Sequence, residues 1–297
     1  MNLRITLRSS LLVGLLLLTF GVDQARAASA GEWKRLRESA RTAVKANEFE
    51  LALDQYQLAF KEAAEAFKGT DMRFLETVSE AAGIHAQFRR FDQAIEMYQA
   101  ALERMPKARG GEQTYKAAFL TELAKIYKYS SKADLAEASF HDAIKFAEEK
   151  LGEQSPQLAS ALEGLASIYI DSSRPGDALP LLKRALHIAA NAGRGFSYFD
   201  GVQLRSTRGN PTTGEYSIQN TIGILHLSQS NYADADKAFR DALNTVNRQR
   251  AEGAQNFVRA NTASLERNLA QAYRGQKEFR KAEDALIRSI VLGEKLE

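Results

Sequence analysis

The sequence contains no cysteine. Disulfide bonds, cysteine-ligated metal centres, thiol nucleophiles and the lipid-modified cysteine of bacterial lipoproteins are therefore excluded. Proline is also scarce, with five residues among 297. Because proline interrupts helices, its scarcity favours long helical segments. Without covalent cross-links, the fold must be held together by packing.

The first 27 residues differ from the rest of the chain. Arg4 and Arg8 precede an apolar stretch at residues 11–20, and Ala25-Arg26-Ala27 follows as a small-x-small cleavage site. This order of features is typical of a Sec-type signal peptide. We expect cleavage after Ala27, a periplasmic or secreted protein, and no stable membrane insertion thereafter. The alternative is an uncleaved membrane anchor, although a lasting span needs about 20 apolar residues.

The charge balance bears on nucleic-acid binding. The formal net charge is +3, and about +1 remains without residues 1–27, which hold three arginines and one aspartate. Nucleic-acid binding requires a basic face that displaces counterions from phosphates. A nearly neutral mature chain does not provide one, so we expect no nucleic-acid partner.

A two-helix pattern recurs along the remainder of the chain. Its mark is an alanine, followed four residues later by an aromatic residue or leucine and three residues after that by a small residue. The six marks are Ala52-Tyr56-Ala59, Ala94-Tyr98-Ala101, Ala136-Phe140-Ala143, Ala178-Leu182-Ala185, Ala235-Phe239-Ala242 and Ala282-Leu286-Ser289. A second apolar pattern at helical spacing precedes each mark, as in Leu162-Leu165-Ala166-Tyr169. Each repeat is therefore predicted to contain two helices.

These residues resemble the tetratricopeptide repeat (TPR) family, whose signature is W-x2-L-G-x2-Y, then A-x3-F, then proline. The first four alanines lie 42 residues apart, which is similar to the kinesin-light-chain-type variant. The resemblance covers residues 32–297. It implies an all-α fold, a right-handed superhelical solenoid of about six helix-turn-helix repeats with one irregular insertion. The first helix of each repeat would line a concave inner surface.

The predicted organisation has four parts: a signal peptide at 1–27, repeats 1–4 at 28–190, an insertion at 191–215 and repeats 5–6 at 216–297. The insertion is rich in glycine, and residues 209–214 (GNPTTG) predict a turn between two short extended pieces. Its aromatic residues Phe196, Tyr198 and Phe199 have two interpretations. They anchor a protein partner, or they pack onto the solenoid and close a gap between repeats 4 and 5.

No catalytic or metal-binding motif is apparent. The four histidines, His85, His141, His187 and His226, form no H-E-x-x-H pattern, and G-x-S-x-G does not occur. His85 and His226 occupy a slot that holds tyrosine in other repeats, which favours a packing role. We therefore expect no enzymatic activity, no cofactor and no metal.

The inner surface implied by the resemblance is biased towards positive charge. Transferring the repeat geometry places nine side chains on it: Arg37, Arg41, Lys125, Lys128, Tyr129, Glu163, Asn220, Arg267 and Arg274. Such a groove could hold an extended acidic segment or a carboxylate terminus through charge-assisted hydrogen bonds. The alternative is that these are ordinary solvated side chains.

The sequence thus predicts an exported scaffold or adaptor that binds a protein or extended peptide in its groove, and possibly through the insertion, in a cell-envelope process. Two alternatives stay open. One is a self-associating structural protein, a homo-oligomer formed through the last repeat, where Ile287, Ile290, Val291 and Leu292 leave an apolar face. The other, less favoured, is an accessory subunit of an envelope enzyme or export machine.

Overall fold

Helices make up nearly all of the structure. A computed structural model describes residues 25–191, 197–199, 204–206, 212–249 and 255–294, with twelve helices, the first of which, α1, covers residues 25–45. The others are α2 (Phe49–Ala66), α3 (Met72–Gln87), α4 (Phe91–Glu103), α5 (Gly111–Tyr129), α6 (Ala133–Leu151), α7 (Pro156–Asp171), α8 (Pro175–Asn191), α9 (Thr212–Ser228), α10 (Tyr232–Gln249), α11 (Gln255–Gly275) and α12 (Phe279–Glu294). The prediction of an all-α fold is confirmed.

The helices form pairs that match the six predicted repeats, from α1 and α2 in repeat 1 to α11 and α12 in repeat 6. In repeats 4–6, consecutive helices pack on one another, and the first helices also contact each other, α7 with α9 and α9 with α11. Most helices bury an apolar stripe and leave the opposite side to solvent, whereas α3 is buried on all sides from Thr77 to His85.

The turn within each helical pair has the same backbone geometry in all six repeats. The residue five positions before the marker alanine has a positive φ of 56–62°, and none of the six is glycine. They are Asn47, Arg89, Ser131, Ser173, Ser230 and Lys277. The next residue donates a backbone hydrogen bond to the carbonyl five positions earlier, as from Arg174 to Tyr169 at 2.7 Å. This combination is a Schellman motif, and it ends the first helix.

The marks identified in the sequence form the core. The marker alanines are at most 3% exposed, and the aromatic or leucine position is at most 1% exposed in repeats 1–5. Gly164 on α7 shows how closely neighbouring repeats approach, because a Cβ atom there would lie 2.1 Å from the ring of Phe140 on α6. Close packing of this kind excludes larger residues at Gly164.

The insertion contains two short strands, β1 (Ser197–Phe199) and β2 (Leu204–Ser206). They pair in antiparallel register, with Tyr198 opposite Arg205. The prediction of two extended pieces is therefore correct, but the predicted turn is misplaced. Residues 200–203 connect the strands, whereas Thr212 already begins α9. The last three residues of the predicted turn, 212–214, are therefore helical.

The chain divides into two compact units, one ending at Glu112 and the other beginning at Gln113. We name them the N-terminal module, which holds repeats 1 and 2, and the C-terminal module, which holds repeats 3–6. The predicted signal peptide lies outside the described residues up to residue 24, and Ala25 to Ala27 belong to α1. Among the described helices, none is both long and apolar enough to span a membrane.

Candidate binding face

Two lysines of α5 meet polar side chains at the start of the C-terminal module. Lys128 forms an ion pair with Asp171 of α7 at 2.9 Å and donates a hydrogen bond to Ser167 of the same helix. Lys125 donates to Glu122, one turn earlier on α5, at 2.8 Å. Exposed fractions of 34% for the Lys125 side chain and 22% for the Lys128 side chain leave both within reach of a ligand.

Polar contacts continue across the next first helices. Glu163 of α7 accepts hydrogen bonds from Ser217 at 2.6 Å and Thr221 at 3.0 Å, both on α9. Asn268 of α11 donates to Asn220 of α9 at 2.8 Å. All of these side chains are partly buried. We name the set the polar ladder: Lys125, Lys128, Glu163, Ser167, Ser217, Asn220, Thr221 and Asn268.

Burial and charge act in opposite directions on two members of the ladder. Burial alone lowers the pKa of Lys125, but the charge and hydrogen bond of Glu122, together with the charge of Glu163, outweigh it and raise the pKa. Burial raises the pKa of Glu163, and the hydrogen bond from Ser217 and the charge of Lys125 offset this only in part. Lys125 therefore stays protonated, whereas the ionised form of Glu163 is disfavoured.

The structure places the other predicted groove residues of this module at exposed positions. Tyr129 is 64% exposed, and Arg267 and Arg274 of α11 are exposed as well. Arg274 lines an open cleft of about 540 Å³ at the turns of repeats 5 and 6. The remaining lining residues are Leu227, Tyr232, Gln271, Gly275 and Phe279. Asn220, by contrast, is engaged by Asn268 within the ladder.

In the N-terminal module, Arg37 and Arg41 of α1 form an ion cluster with α3. Arg37 makes two hydrogen bonds to Glu80, at 2.8 and 2.9 Å, and one to Glu76 at 2.9 Å. Arg41 also pairs with Glu80. The side chains of Arg37 and Glu80 are only 10% and 2% exposed. Arg37 was expected in an open basic groove, but it is enclosed, because two carboxylates on the neighbouring helix neutralise it.

The surroundings of Glu80 favour its charged form. Burial alone raises the pKa of this carboxyl, but the hydrogen bonds and charges of Arg37 and Arg41 outweigh it, so the pKa is lowered. The Arg37 guanidinium also lies 5.5 Å from the ring centroid of Trp33, whose indole N–H donates to Thr77 at 2.8 Å. The cluster thus ties α1 to α3.

The structure describes the three aromatic residues of the insertion only in part. Phe196 lies outside the described residues, and Tyr198 and Phe199 lie on β1, where only the backbone is described.

Sequence reasoning missed the partners of the predicted residues. Glu80 carries a usable signal, because it interrupts a run of small and apolar residues between Val78 and Ile84, where an unpaired carboxylate is rare. Ser167, Ser217 and Thr221 carry none, because serine and threonine are common on solvated helix faces. Within the described ranges, no group of three or more His, Asp or Glu side chains is arranged to hold a metal ion.

Comparisons with known proteins agree with this architecture. Residues 115–191 match the tetratricopeptide repeat family. No curated protein sequence matches the chain. Among solved structures, BtubC (BKLC) from P. vanneervenii is similar, with 18% identity, a TM-score of 0.58, and alignment over 93% of this chain and 92% of that one.

Two further structures show the same kind of fold. A putative kinesin light chain from Podosopora anserina, with nearly identical TPR-like repeats, has 16% identity, a TM-score of 0.51 and alignment over 75% of this chain and 96% of that one. A Rap protein complexed with competence and sporulation factor has 15% identity, a TM-score of 0.55 and alignment over 92% and 78%. The predicted fold class, an all-α TPR-type solenoid, is confirmed. Identities this low establish the fold alone.

Proposed function

We propose that this protein is an exported, non-enzymatic TPR scaffold that binds an extended protein segment along the polar ladder. The ladder itself carries the proposal, because it links four successive first helices through side chains that remain partly exposed. Regularly spaced donors and acceptors can replace the hydrogen bonds that a peptide loses to water on binding.

The chemistry of the ladder favours acidic side chains in the ligand. Lys125 and Lys128 are held by Glu122 and Asp171 in the absence of a ligand, and a carboxylate of the partner can compete for them. The exposed Arg267 and Arg274 add positive charge on α11.

Two further observations support the proposal. The Rap protein of similar fold is complexed with competence and sporulation factor, which shows that such a helical array can hold a separate factor. Residues 1–27 have the features of a secretory signal, which favours a periplasmic or secreted location and a cell-envelope role. The uncleaved anchor is the alternative for this segment.

A defined peptide tests the site. A fluorescein-labelled peptide of ten glutamates is extended over about 33 Å, close to the width of four helices packed about 8–10 Å apart. Fluorescence anisotropy should show binding that weakens with added salt, because charge pairs at partly exposed sites are screened. The double variant Lys125→Gln/Lys128→Gln should bind about tenfold more weakly.

Matched variants distinguish the ladder from general charge. Lys145→Gln/Lys183→Gln removes the same charge from exposed positions on the second helices α6 and α8, and it should bind the peptide like the unaltered protein. An equal loss of affinity in both double variants would show that the peptide responds to net charge and not to the polar ladder. No binding to the acidic peptide, together with retention of a specific envelope protein in affinity capture, would reject the acidic preference but keep the scaffold.

The insertion needs its own variant. Phe196→Ala/Tyr198→Ala/Phe199→Ala should abolish capture of the native partner without loss of helicity if these rings anchor it. Unfolding would instead support the packing interpretation.

A further inference from the structure

The first helices of the C-terminal module carry a row of residues whose character changes from repeat to repeat. Eight residues before the marker alanine, repeats 3–6 hold Lys128, Ile170, Leu227 and Arg274. We name these four residues the inner row. A cation lies at each end of the row, and two apolar side chains lie between the cations.

The structure brings neighbouring members of the inner row together. Leu227 and Arg274 line the same open cleft of about 540 Å³. At the other end, Lys128 pairs with Asp171, which follows Ile170 on α7. Helix α7 packs against α9, and α9 packs against α11. The row therefore crosses four successive first helices, as the polar ladder does.

The apolar middle of the inner row is partly accessible. Ile224 lies one turn before Leu227 on the same side of α9, and it is 37% exposed. Leu227 is partly buried against the core of repeats 5 and 6, and Ile170 is partly buried on α7. Apolar surface at these positions gains stability when an apolar side chain of a partner covers it.

The two cations of the inner row differ in their partners. Lys128 is held by Asp171 at 2.9 Å, whereas Arg274 forms no ion pair with any residue that the structure describes. The Arg274 side chain is also exposed. A carboxylate suits it, because a guanidinium group binds a carboxylate through charge-assisted hydrogen bonds.

The spacing of the inner row matches one backbone conformation of a ligand. Packed helices lie about 8–10 Å apart. A polyproline II segment rises about 3.1 Å per residue with three residues per turn, so every third side chain returns to the same side after about 9 Å. In a β-strand, side chains three residues apart point to opposite faces. Four helices therefore match the first, fourth, seventh and tenth residues of a polyproline II segment.

We propose that the inner row binds a polyproline II segment of a partner protein that has acidic side chains at positions 1 and 10 and apolar side chains at positions 4 and 7. This inference rests on the proposed function and specifies the partner of the same groove. The carboxylates pair with Lys128 and Arg274, and the apolar side chains cover Ile170 and the turn from Ile224 to Leu227. The pattern reads the same in both chain directions.

Three fluorescein-labelled decapeptides test the pattern by fluorescence anisotropy. Each has eight glutamates and two replacements: leucines at positions 4 and 7, glutamines at positions 4 and 7, or leucines at positions 1 and 10. Their side-chain charge is equal. The first peptide should bind about tenfold more tightly than the second, because its leucines are removed from water. The third has the composition of the first but should bind more weakly than it, because its leucines face Lys128 and Arg274.

Variants of the protein locate the apolar contact. Ile224→Gln/Leu227→Gln should reduce the advantage of the first peptide over the second to less than about threefold. Ile224→Gln alone should reduce it in part, and it is compatible with the fold because repeat 6 carries Gln271 at this position. The control Leu135→Gln/Leu286→Gln removes two exposed leucines from second helices of the same module and should leave the advantage unchanged. Circular dichroism checks that every variant keeps its helicity.

The charge at the end of the row needs a separate variant. Arg274→Gln should weaken binding of the first peptide about fivefold, since the pair with its carboxylate is partly screened by solvent. Arg280→Gln removes the same charge from an exposed position on the second helix α12 and should leave the affinity unchanged. Equal effects of the two variants would contradict a specific pair at Arg274.

Two further outcomes would overturn the proposal. One is equal affinity of the first peptide and either of the other two, and the other is an advantage of the first peptide that Ile224→Gln/Leu227→Gln leaves intact. In both cases, binding of the ten-glutamate peptide that Lys125→Gln/Lys128→Gln weakens would still support the polar ladder. If none of the peptides binds, the acidic preference of the ladder and the inner row are rejected together.

Discussion

The two modules use basic side chains on their first helices differently. Arg41 in the N-terminal module and Lys125 in the C-terminal module lie at equivalent positions, eleven residues before the marker alanine. Arg41 shares a buried carboxylate, Glu80, with Arg37, whereas Lys125 pairs with Glu122 on its own helix. The difference teaches that a buried carboxylate on the neighbouring helix holds a basic residue in the fold, whereas an exposed one, such as Asp171 beside Lys128, leaves it available to a partner.

The largest expected loss of stability comes from breaking the ion cluster of the N-terminal module. Arg37→Gln leaves Glu80 buried with one guanidinium fewer, and it should lower the free energy of unfolding by about 3 kcal/mol. Lys125→Gln, at a partly exposed pair, should lower it by less than about 1 kcal/mol. Urea denaturation of the two variants measures both values. Equal effects would show that the modules do not differ in this respect.

A smaller effect is the pH dependence of stability that His85 gives the N-terminal module. His85 on α3 is buried, and neither ring nitrogen reaches hydrogen-bonding geometry, although the Leu53 backbone is close. Burial, followed by the charge of Arg90, lowers its pKa below the ordinary value of 6.5. As the pH falls below 6.5, His85 is therefore protonated in the unfolded chain before it is protonated in the folded chain. The free energy of unfolding should have its full value above pH 6.5 and should decrease as the pH falls through the lowered pKa of His85.

Thermal melting between pH 8 and pH 5, with hydrogen exchange of the α3 amides, measures this decline. His85→Gln should flatten the profile over that range. His187→Gln serves as the control, because His187 is exposed on α8. An unchanged slope in His85→Gln would assign the pH dependence to other groups.

The smallest effect tests a feature that the modules share. Ser131→Gly, at a positive-φ turn of the C-terminal module, should raise the free energy of unfolding by about 0.5 kcal/mol, because glycine adopts this conformation without a Cβ clash. Asn47→Gly, at the equivalent turn of the N-terminal module, should gain less, because asparagine tolerates the left-handed region. Calorimetry compares the two. A loss of stability in Ser131→Gly would mean that the flexibility added to the unfolded chain dominates.

Much of the fold was predictable because its signal is local. Alanine and ring positions at helical spacing recur in every repeat, and they are the residues that the structure buries. The turns were less predictable. None of the six positive-φ residues is glycine, so the usual mark of a helix end is missing from the sequence. The strand pair in the insertion was foreseen, but residues 209–214, predicted as its turn, lie beyond β2 and run into α9.

The candidate site was predicted only as a set of positions. Lys125, Lys128 and Asn220 were placed on the first helices, as the structure has them, but the partners of Lys128 and Asn220, which are Ser167, Asp171 and Asn268, lie 39 to 48 residues away in the chain. Arg37 was interpreted as an open groove residue, and its enclosure depends on Glu80, 43 residues later. Sequence spacing within one helix cannot reveal such pairs.

The sequence by itself determined the repeated helical pairs, because each helix is defined by apolar residues within a few turns of one another. It also predicted three exposed apolar side chains of α12, Ile287, Ile290 and Val291, whereas Leu292, predicted with them, is partly buried. Only the tertiary structure decided which charges are buried and which are available. Burial and ion pairing depend on contacts between helices of different repeats, and these exist only after the repeats have packed.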